Sequence, residues 1–332
     1  MTSSERSCRV CGNQAENQTF HVREMLHGTR EEYEYLQCGA CGCLQLADLP
    51  EDLSQFYPPD YCAYKDYRGR AKNILRRVID TLYVSASLPR EGIATRLMNR
   101  LRPPLDYLSW ARFTGATQSS RILDVGCGNG KLLIRMSLGG FRTLDGVDPF
   151  IREDINVPSV RIRKIGLREY VESQPEKYHL VMLHHAFEHV PDPVETLLDA
   201  KQLMDDDGFL LIRIPVADCY SREHYGKNWY SWDAPRHTYL HTMKSMEYLA
   251  RKTGFVIRKV EHDATFHQLQ NSEMYSRNIP GNQHHQAVGD FSRRQIREFK
   301  ALTRELNSQQ RGEQAAFFLQ KAEFAETSRR AA

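Results

Sequence analysis

The sequence predicts an α/β protein with an open, mostly parallel sheet, preceded by a small cysteine-rich module and a helical connector. Three observations predict it. From residue 121 onward, short apolar runs alternate with amphipathic helical stretches, a pattern that covers a parallel sheet on both faces. The first of these runs enters a glycine-rich turn, Gly126-Cys127-Gly128-Asn129-Gly130, that opens a helix. Two Cys-x-x-Cys-Gly knuckles, Cys8/Cys11 and Cys38/Cys41, stand near the N-terminus.

Composition bounds the function classes. The 332 residues are 41% hydrophobic and 26% charged, with a net charge of +3. A core of ordinary size is possible at this length. The charge is too small to argue alone for nucleic acid or membrane. The opening "MTSSERSCRVCG" has no apolar region of a secretory signal, and no run approaches the ~18 apolar residues of a bilayer span. The expectation is a cytoplasmic protein with reduced thiols.

Residues 1–46 read as a ribbon-like module, 47–114 as a connector and basic helical lid, 115–325 as the α/β domain and 326–332 as a disordered tail. In a knuckle, the glycine lets the chain turn so that two thiolates face one ion. Two knuckles give a closed tetrahedral sulfur site suited to structural Zn²⁺, with Cys8, Cys11, Cys38 and Cys41 as ligands. Cys43 is either a spare thiol or a competing ligand. Cys62, Cys127 and Cys219 are scattered and read as packed. The connector "DLPEDLSQFYPPDYCAYKDY" is extended. The basic stretch after it carries Arg68, Arg70, Lys72, Arg76, Arg77, Arg90, Arg96, Arg100, Arg102 and Arg112, either as a solvated helical face or as a positive lid. Leu97, Leu101, Leu105 and Leu108 give it a packing stripe.

Strands are expected at "RILDVG", "FRTLDGVD", "SVRIRKI", "YHLVMLH", "FLLIRIPV", "FVIRKVEHD" and "AAFFLQK". Helices are expected at "GKLLIRMSLGG", "LREYVES", "PVETLLDAKQLM", "KSMEYLARKTG" and "RRQIREFKALTRELN", with "DDDG" as a turn.

The glycine turn selects its ligand. Its spacing is G-x-G-x-G, not the G-x-G-x-x-G of dinucleotide sites. Asp124 stands two residues before the first glycine, where a carboxylate opposes a pyrophosphate and suits a ligand with an ammonium and a sulfonium. The second strand ends in Asp148, 24 residues later, the usual place for an acid that accepts both ribose hydroxyls.

On these residues the chain resembles the class I S-adenosylmethionine-dependent methyltransferases. "LDVGCGNG" and "GVDP" match their first two motifs, and "LHHAFEHVPDP" and "DDDGFLLIRIP" their later ones. The resemblance is closer to a branch with an N-terminal zinc ribbon, often associated with sugar, polysaccharide or metabolite modification. In that branch "CxxCG…CxxCG", "FYPPDYCAY", "NWYSWDAPRH", a Ser-Glu-x-Tyr segment and "GEQAAFFLQK" recur in order, here over nearly the whole chain. The resemblance implies a Rossmann-like sheet, mostly parallel with an antiparallel last strand. It implies S-adenosylmethionine held by Asp124, Gly126, Cys127, Gly128, Gly130, Asp148, Pro149 and His185. The third strand ends in "KIGLREY" without the acid that many relatives place against adenine, so backbone groups of Gly166 or Leu167 are the candidates.

Methyl transfer needs an in-line acceptor and, for most acceptors, a base. In doubly wound sheets the loops after the strands carry these groups. His185 is expected at the methionine part of the cofactor or the acceptor. His184 and His189 read as structural, and Glu188 as orienting His189 or capping the next helix. In "NWYSWDAPRHTYLHT", residues 228–242, His237 is the expected base with Asp233 as a possible orienting partner. Arg236 either binds an acidic acceptor or pairs with an acid. Trp229, Tyr230, Trp232 and Tyr239 either wall the acceptor or anchor the segment. Ser272, Glu273 and Tyr275 join the pocket by resemblance only. The expected acceptor is a sugar, nucleotide-sugar, glycan or small metabolite; the alternative is an RNA or protein held by the ribbon and basic helices.

Overall fold

The computed structural model describes residues 7–57, 67, 69, 74–88, 105–173, 176–283 and 291–324. The described strands are β1 (Gln18–Arg23), β2 (Glu32–Gln37), β3 (Leu44–Leu46), β4 (Arg121–Val125), β5 (Thr143–Val147), β6 (Ile155–Val157), β7 (Val160–Arg163), β8 (Tyr178–His184), β9 (Met204–Pro215), β10 (Tyr239–Leu240), β11 (Phe255–His262) and β12 (Gln314–Lys321). The described α-helices are α1 (Ile74–Ser87), α2 (Tyr107–Thr114), α3 (Lys131–Leu138), α4 (Leu167–Ser173), α5 (Pro193–Leu203), α6 (Tyr220–Tyr225), α7 (Met243–Lys252), α8 (Phe266–Ser276) and α9 (Arg293–Ser308).

Eight strands form one sheet in the order β11-β12-β9-β8-β4-β5-β7-β6. β4 runs parallel to β5 and β8, and β5 parallel to β7. β6 turns back antiparallel on β7, a strand that the sequence does not announce. "DDDG" is not a turn: β9 runs unbroken from Met204 through these residues. Partners beside it hold it extended: Gln320 Nε2 donates to the Asp207 carbonyl, and Lys321 Nζ lies 2.9 Å from Asp206. Local propensity yields to the ladder. α6 and α8 are likewise additions to the expected elements.

The chain divides into two compact units. One comprises Tyr57–Ala186, Glu195–Leu211 and Leu319–Ala332. Its core takes Ile122 and Leu123 of β4, Leu144 of β5, Leu180 and Val181 of β8, and Leu133 of α3, all 1% exposed or less. The other comprises Met1–Phe56, Phe187–Val194 and Ile212–Phe318. It contains a second, four-stranded sheet, β1-β2-β3-β10, antiparallel throughout. The cysteine-rich hairpins therefore share a sheet with residues 239–240 of the polar aromatic segment. Tyr35, Leu44, Trp229 and Tyr239 form part of its buried centre. α7 starts on a capping box between Thr242 and Ser245, and α9 on one between Ser292 and Gln295.

Much of the basic stretch, including Arg68, Arg70, Lys72, Arg90, Arg96, Arg100 and Arg102, lies outside the described residues, as do Cys62, Leu97, Leu101 and the tail 326–332. Of the rest, Arg76 pairs with Asp80, Arg112 donates to the Leu108 carbonyl, and Leu105 and Leu108 are buried. No helix among the described residues is long and apolar enough to cross a membrane.

The Tyr35 hydroxyl donates to the His237 carbonyl at 2.8 Å inside the core, joining residues 202 apart. Tyr35→Phe leaves that buried carbonyl without its donor, so the variant is expected to lose about 1–2 kcal/mol of stability. Urea unfolding checks this; a midpoint equal to wild type at equal slope would contradict it.

Candidate functional site

The glycine turn joins β4 to α3 and is shaped by what surrounds it. Gly126, Gly128 and Gly130 have φ of 72°, 52° and 73°. A Cβ on Gly126 would stand 2.6 Å from the Ala186 Cβ, and one on Gly130 2.1 Å from Ile162 Cδ1. Both the left-handed backbone and the contacts exclude a side chain. The turn is tied to β5 by Gly126 N–H, which donates to the Val147 carbonyl at 2.8 Å.

Asp148 fixes the turn from the other strand. Its Oδ2 accepts from Gly128 N–H and its Oδ1 from Phe150 N–H, both at 2.9 Å. Burial raises its pKa, and these donors oppose the rise. Ile151 N–H also donates to the carboxylate, which keeps room for one further donor. Asp124, 3% exposed, is pushed up to about 8 by burial and by the charge of Asp148. Its Oδ1 is buried without a hydrogen-bond partner. A buried carboxyl oxygen in that state calls for a donor, and a ligand ammonium is one. The Cys127 sulfur lies against β5, where a Cβ on Gly146 would stand 2.6 Å from Sγ, and it donates to the Gly128 carbonyl at 3.3 Å.

Pro149 and Phe150 are exposed beside Asp148, and Phe150 stacks on Tyr57 at 5.1 Å and 13°. The sequence does not reveal that stack, because 93 residues separate the rings. His185 is exposed, with φ of 55°, and stacks on His184, which packs edge-on against Trp110. Open space lies where a Cβ on Gly166 would stand.

The other unit holds a buried polar cluster. Arg236 is 2% exposed; its guanidinium pairs with Asp233 and its Nη1 lies 3.0 Å from His27 Nε2. Burial alone would raise the Asp233 carboxyl, but Arg236 and His237 outweigh it and hold it low. His237 donates from Nδ1 to the Ser231 carbonyl at 2.7 Å, which makes Nε2 the basic nitrogen. Nε2 stands 3.5 Å from Asp233 Oδ2 and 3.9 Å from Glu188 Oε1. The group that orients the ring is therefore Ser231, and Asp233 lies at the opposite nitrogen. His189 donates from Nδ1 to the Arg236 carbonyl at 2.9 Å, and its ring meets His237 edge-on at 4.7 Å. Burial lowers His189 to about 4, so it is neutral.

The aromatic residues of 228–242 serve the core. Trp229 and Trp232 are 1% and 4% exposed, packed edge-on against each other, and Trp232 also meets Tyr35. Both rings are buried in the core of their unit. Tyr239 is 1% exposed; its hydroxyl accepts from Arg9 Nε and donates to the Pro191 carbonyl. Arg236 is likewise taken up by Asp233. Tyr230 is partly exposed and faces Tyr275 at 5.6 Å, while Ser272 Oγ accepts from Tyr230 N–H. Glu273 pairs with Arg277 one helical turn on.

The four knuckle cysteines converge. Their sulfurs lie within 4.8 Å of one another, with Cys8–Cys41 at 3.7 Å and Cys11–Cys38 at 3.5 Å. A tetrahedral ion with ~2.3 Å bonds sets its sulfurs ~3.8 Å apart, so these residues could hold one. Gly12 and Gly42, φ 78° and 73°, make the turns. Cys43 points elsewhere, toward the Leu44 carbonyl and His241, and is outside the set.

Comparison with known proteins follows this geometry. The family described as a methyltransferase domain matches residues 93–260. The ubiquinone biosynthesis O-methyltransferase of Actinobacillus pleuropneumoniae serotype 5b (strain L20) is 31% identical over 127 residues, covering 34% of this chain and 52% of that protein. The protein of the same name from Paracidovorax citrulli (strain AAC00-1) is 27% identical over 112 residues, 31% of this chain and 47% of that one. The chain thus spans about half the length of the curated relatives it matches. A SAM dependent methyltransferase from Archaeoglobus fulgidus superposes with a TM-score of 0.40 at 19% identity, over 72% of this chain and 99% of that one. The family match takes in the glycine turn, both buried aspartates and the cluster from Glu188 to His237, and the chain belongs to the methyltransferase-domain family.

Proposed function

We propose that the protein transfers a methyl group from S-adenosylmethionine to an oxygen of a small hydroxylated metabolite, such as a sugar, nucleotide-sugar or glycan unit. One observation carries the cofactor reading: a buried carboxyl, Asp124, with an oxygen lacking a hydrogen-bond donor, stands at the entrance of a turn that only glycine can build. The methionine ammonium fits Asp124, and a ribose hydroxyl fits the remaining acceptor position of Asp148. The Phe150–Tyr57 stack offers a flat apolar surface for adenine, and the open space at Gly166 suits backbone contact with it. His185 is the proposed contact to the methionine part. The curated relatives are named O-methyltransferases of ubiquinone biosynthesis, which favours an oxygen acceptor on a small molecule.

The reaction is an in-line displacement at the sulfonium methyl. The acceptor oxygen forms the new bond, the C–S electron pair returns to sulfur, and the hydroxyl proton must leave. We assign proton removal to His237. Its Nδ1–H on Ser231 fixes the tautomer, so that Nε2 carries the lone pair. Such a base contributes about 10²–10⁴-fold. The four knuckle thiolates are proposed to hold a structural zinc, which supplies folding energy and leaves no open position for catalysis.

Calorimetry with S-adenosylhomocysteine tests the reading. Wild type is expected to bind; Asp148→Ala is expected to weaken binding roughly ten- to a hundredfold through loss of charged hydrogen bonds. His237→Ala is expected to bind normally and to lose turnover. No binding to wild type would overturn the function, and full turnover of His237→Ala would overturn the assignment of the base.

Asp124, pushed up to about 8, is mostly protonated at pH 7. Pairing with an ammonium requires its carboxylate, so binding must release a proton. Affinity should fall about tenfold per unit as pH drops below 8, and level off above it. Calorimetry in buffers of different ionisation heat should read about one proton released at pH 7, and none for Asp124→Asn. Proton-neutral binding by wild type would refute the pairing.

Metal analysis of the purified chain should find zinc whose content falls by one equivalent in Cys8→Ser and in Cys38→Ser, with a lowered melting temperature. Zinc content equal to wild type in both variants would remove the knuckles as its ligands.

A further inference from the structure

We propose that Glu188, His189 and His237 form a second metal site, separate from the four cysteines, that takes a divalent cation through two imidazoles and one carboxylate. Donor atoms of the three residues lie within 4.8 Å of one another, in a cluster where Glu188 is 1% and His237 8% exposed. The carboxylate arrives on the 3₁₀ turn Phe187–His189 and the second imidazole on the segment after Trp232.

The outer hydrogen bonds are those of metal-ligating histidines. Each ring donates Nδ1–H to a main-chain carbonyl, His189 to Arg236 at 2.9 Å and His237 to Ser231 at 2.7 Å. In a neutral ring that leaves the lone pair on Nε2 and fixes the ring's orientation, as second-shell carbonyls do around metals. The spacing inside the cluster points the same way. His237 Nε2 stands 3.9 Å from Glu188 Oε1, beyond hydrogen-bond range. Donors sharing an ion at ~2.1 Å stand about 3.4 Å apart, so closure needs only a modest inward shift. Asp233 Oδ2 stands 3.5 Å from His237 Nε2 but is engaged by Arg236, which offsets its charge. Two histidines and one carboxylate suit zinc, iron, manganese or cobalt, with positions left over for an exogenous oxygen.

Metal binding does not rest on the proposed reaction. With a cation bound, His237 Nε2 is a ligand and cannot take the acceptor proton, so the metal site and the base role assigned to the same nitrogen are alternatives that the cobalt titration decides between.

Cobalt(II) titration of the metal-stripped 332-residue chain tests the site. The cysteine site is expected to give a thiolate-to-cobalt charge-transfer band that saturates at one equivalent. A second equivalent is expected to add d–d absorption without further charge transfer. Glu188→Gln and His189→Gln should each keep the charge-transfer band, which reports that their unit is folded, and lose the second equivalent. Saturation of wild type at one equivalent, by absorption and by equilibrium dialysis, overturns the site. So does a second equivalent that survives in both variants with unchanged affinity. Binding of S-adenosylhomocysteine, measured in parallel, reads the methyltransferase assignment independently of the cobalt result.

Discussion

The buried ion pair of Arg236 and Asp233 is the constraint around which one whole unit is arranged. A guanidinium with a 3% exposed side chain is stable only if its donors are met. Asp233 supplies the countercharge from three residues away, which forces the chain between them into a tight turn. Asp233 adopts φ of 39°, and its carbonyl accepts from both Arg236 and His237 N–H. His27, on the connection between β1 and β2, takes a third contact. The carbonyl of Arg236 then receives His189, and that of Ser231 receives His237. One charge pair thus sets the positions of both imidazoles and explains why residues 228–242 follow neither a helical nor a strand period.

The cofactor-type site was legible in the sequence because its parts are local. Asp124, the glycines and Asp148 lie on two consecutive strands, and the spacing between them reflects a single strand-turn-helix unit. The knuckle cysteines were legible for the same reason. The rest of the site depends on contacts far apart in the chain. Phe150 meets Tyr57, and His237 meets Glu188 and His189, only after folding. Composition also misleads where a residue type has two uses. Trp229, Trp232 and Tyr239 carry apolar bodies with polar tips, the traits of a ligand wall and of a core anchor alike. Burial separates the two, and burial is a tertiary property. The acidic "DDDG" is a similar case: its residues favour a turn, and the partners beside β9 override them.

The cysteine module and the polar cluster are not separable pieces. β3 pairs with β10 at Leu44–Leu240 and Gln45–Tyr239, two to three residues past His237. Leu46 N–H donates to the Thr238 carbonyl, and Thr242 Oγ1 donates to the carbonyl of Cys41 at 2.6 Å. Thr242 also caps α7. A knuckle ligand, the end of the catalytic candidate's segment and the start of a helix therefore share one hydrogen-bonded run. In water a hairpin of this size is marginal on its own, and the ion proposed for the four cysteines would fix it. Losing the knuckle geometry would free Cys41 and the Thr242 contact first, and then the β3–β10 register. That register holds Thr238, whose hydroxyl donates to the carbonyls of Glu188 and Val190. The same chain of bonds thus runs from the sulfur cluster to the backbone that carries Glu188. The geometry of the sulfur cluster and that of the polar cluster are in this way linked through threonine hydroxyls and one strand pairing, without direct contact between the two.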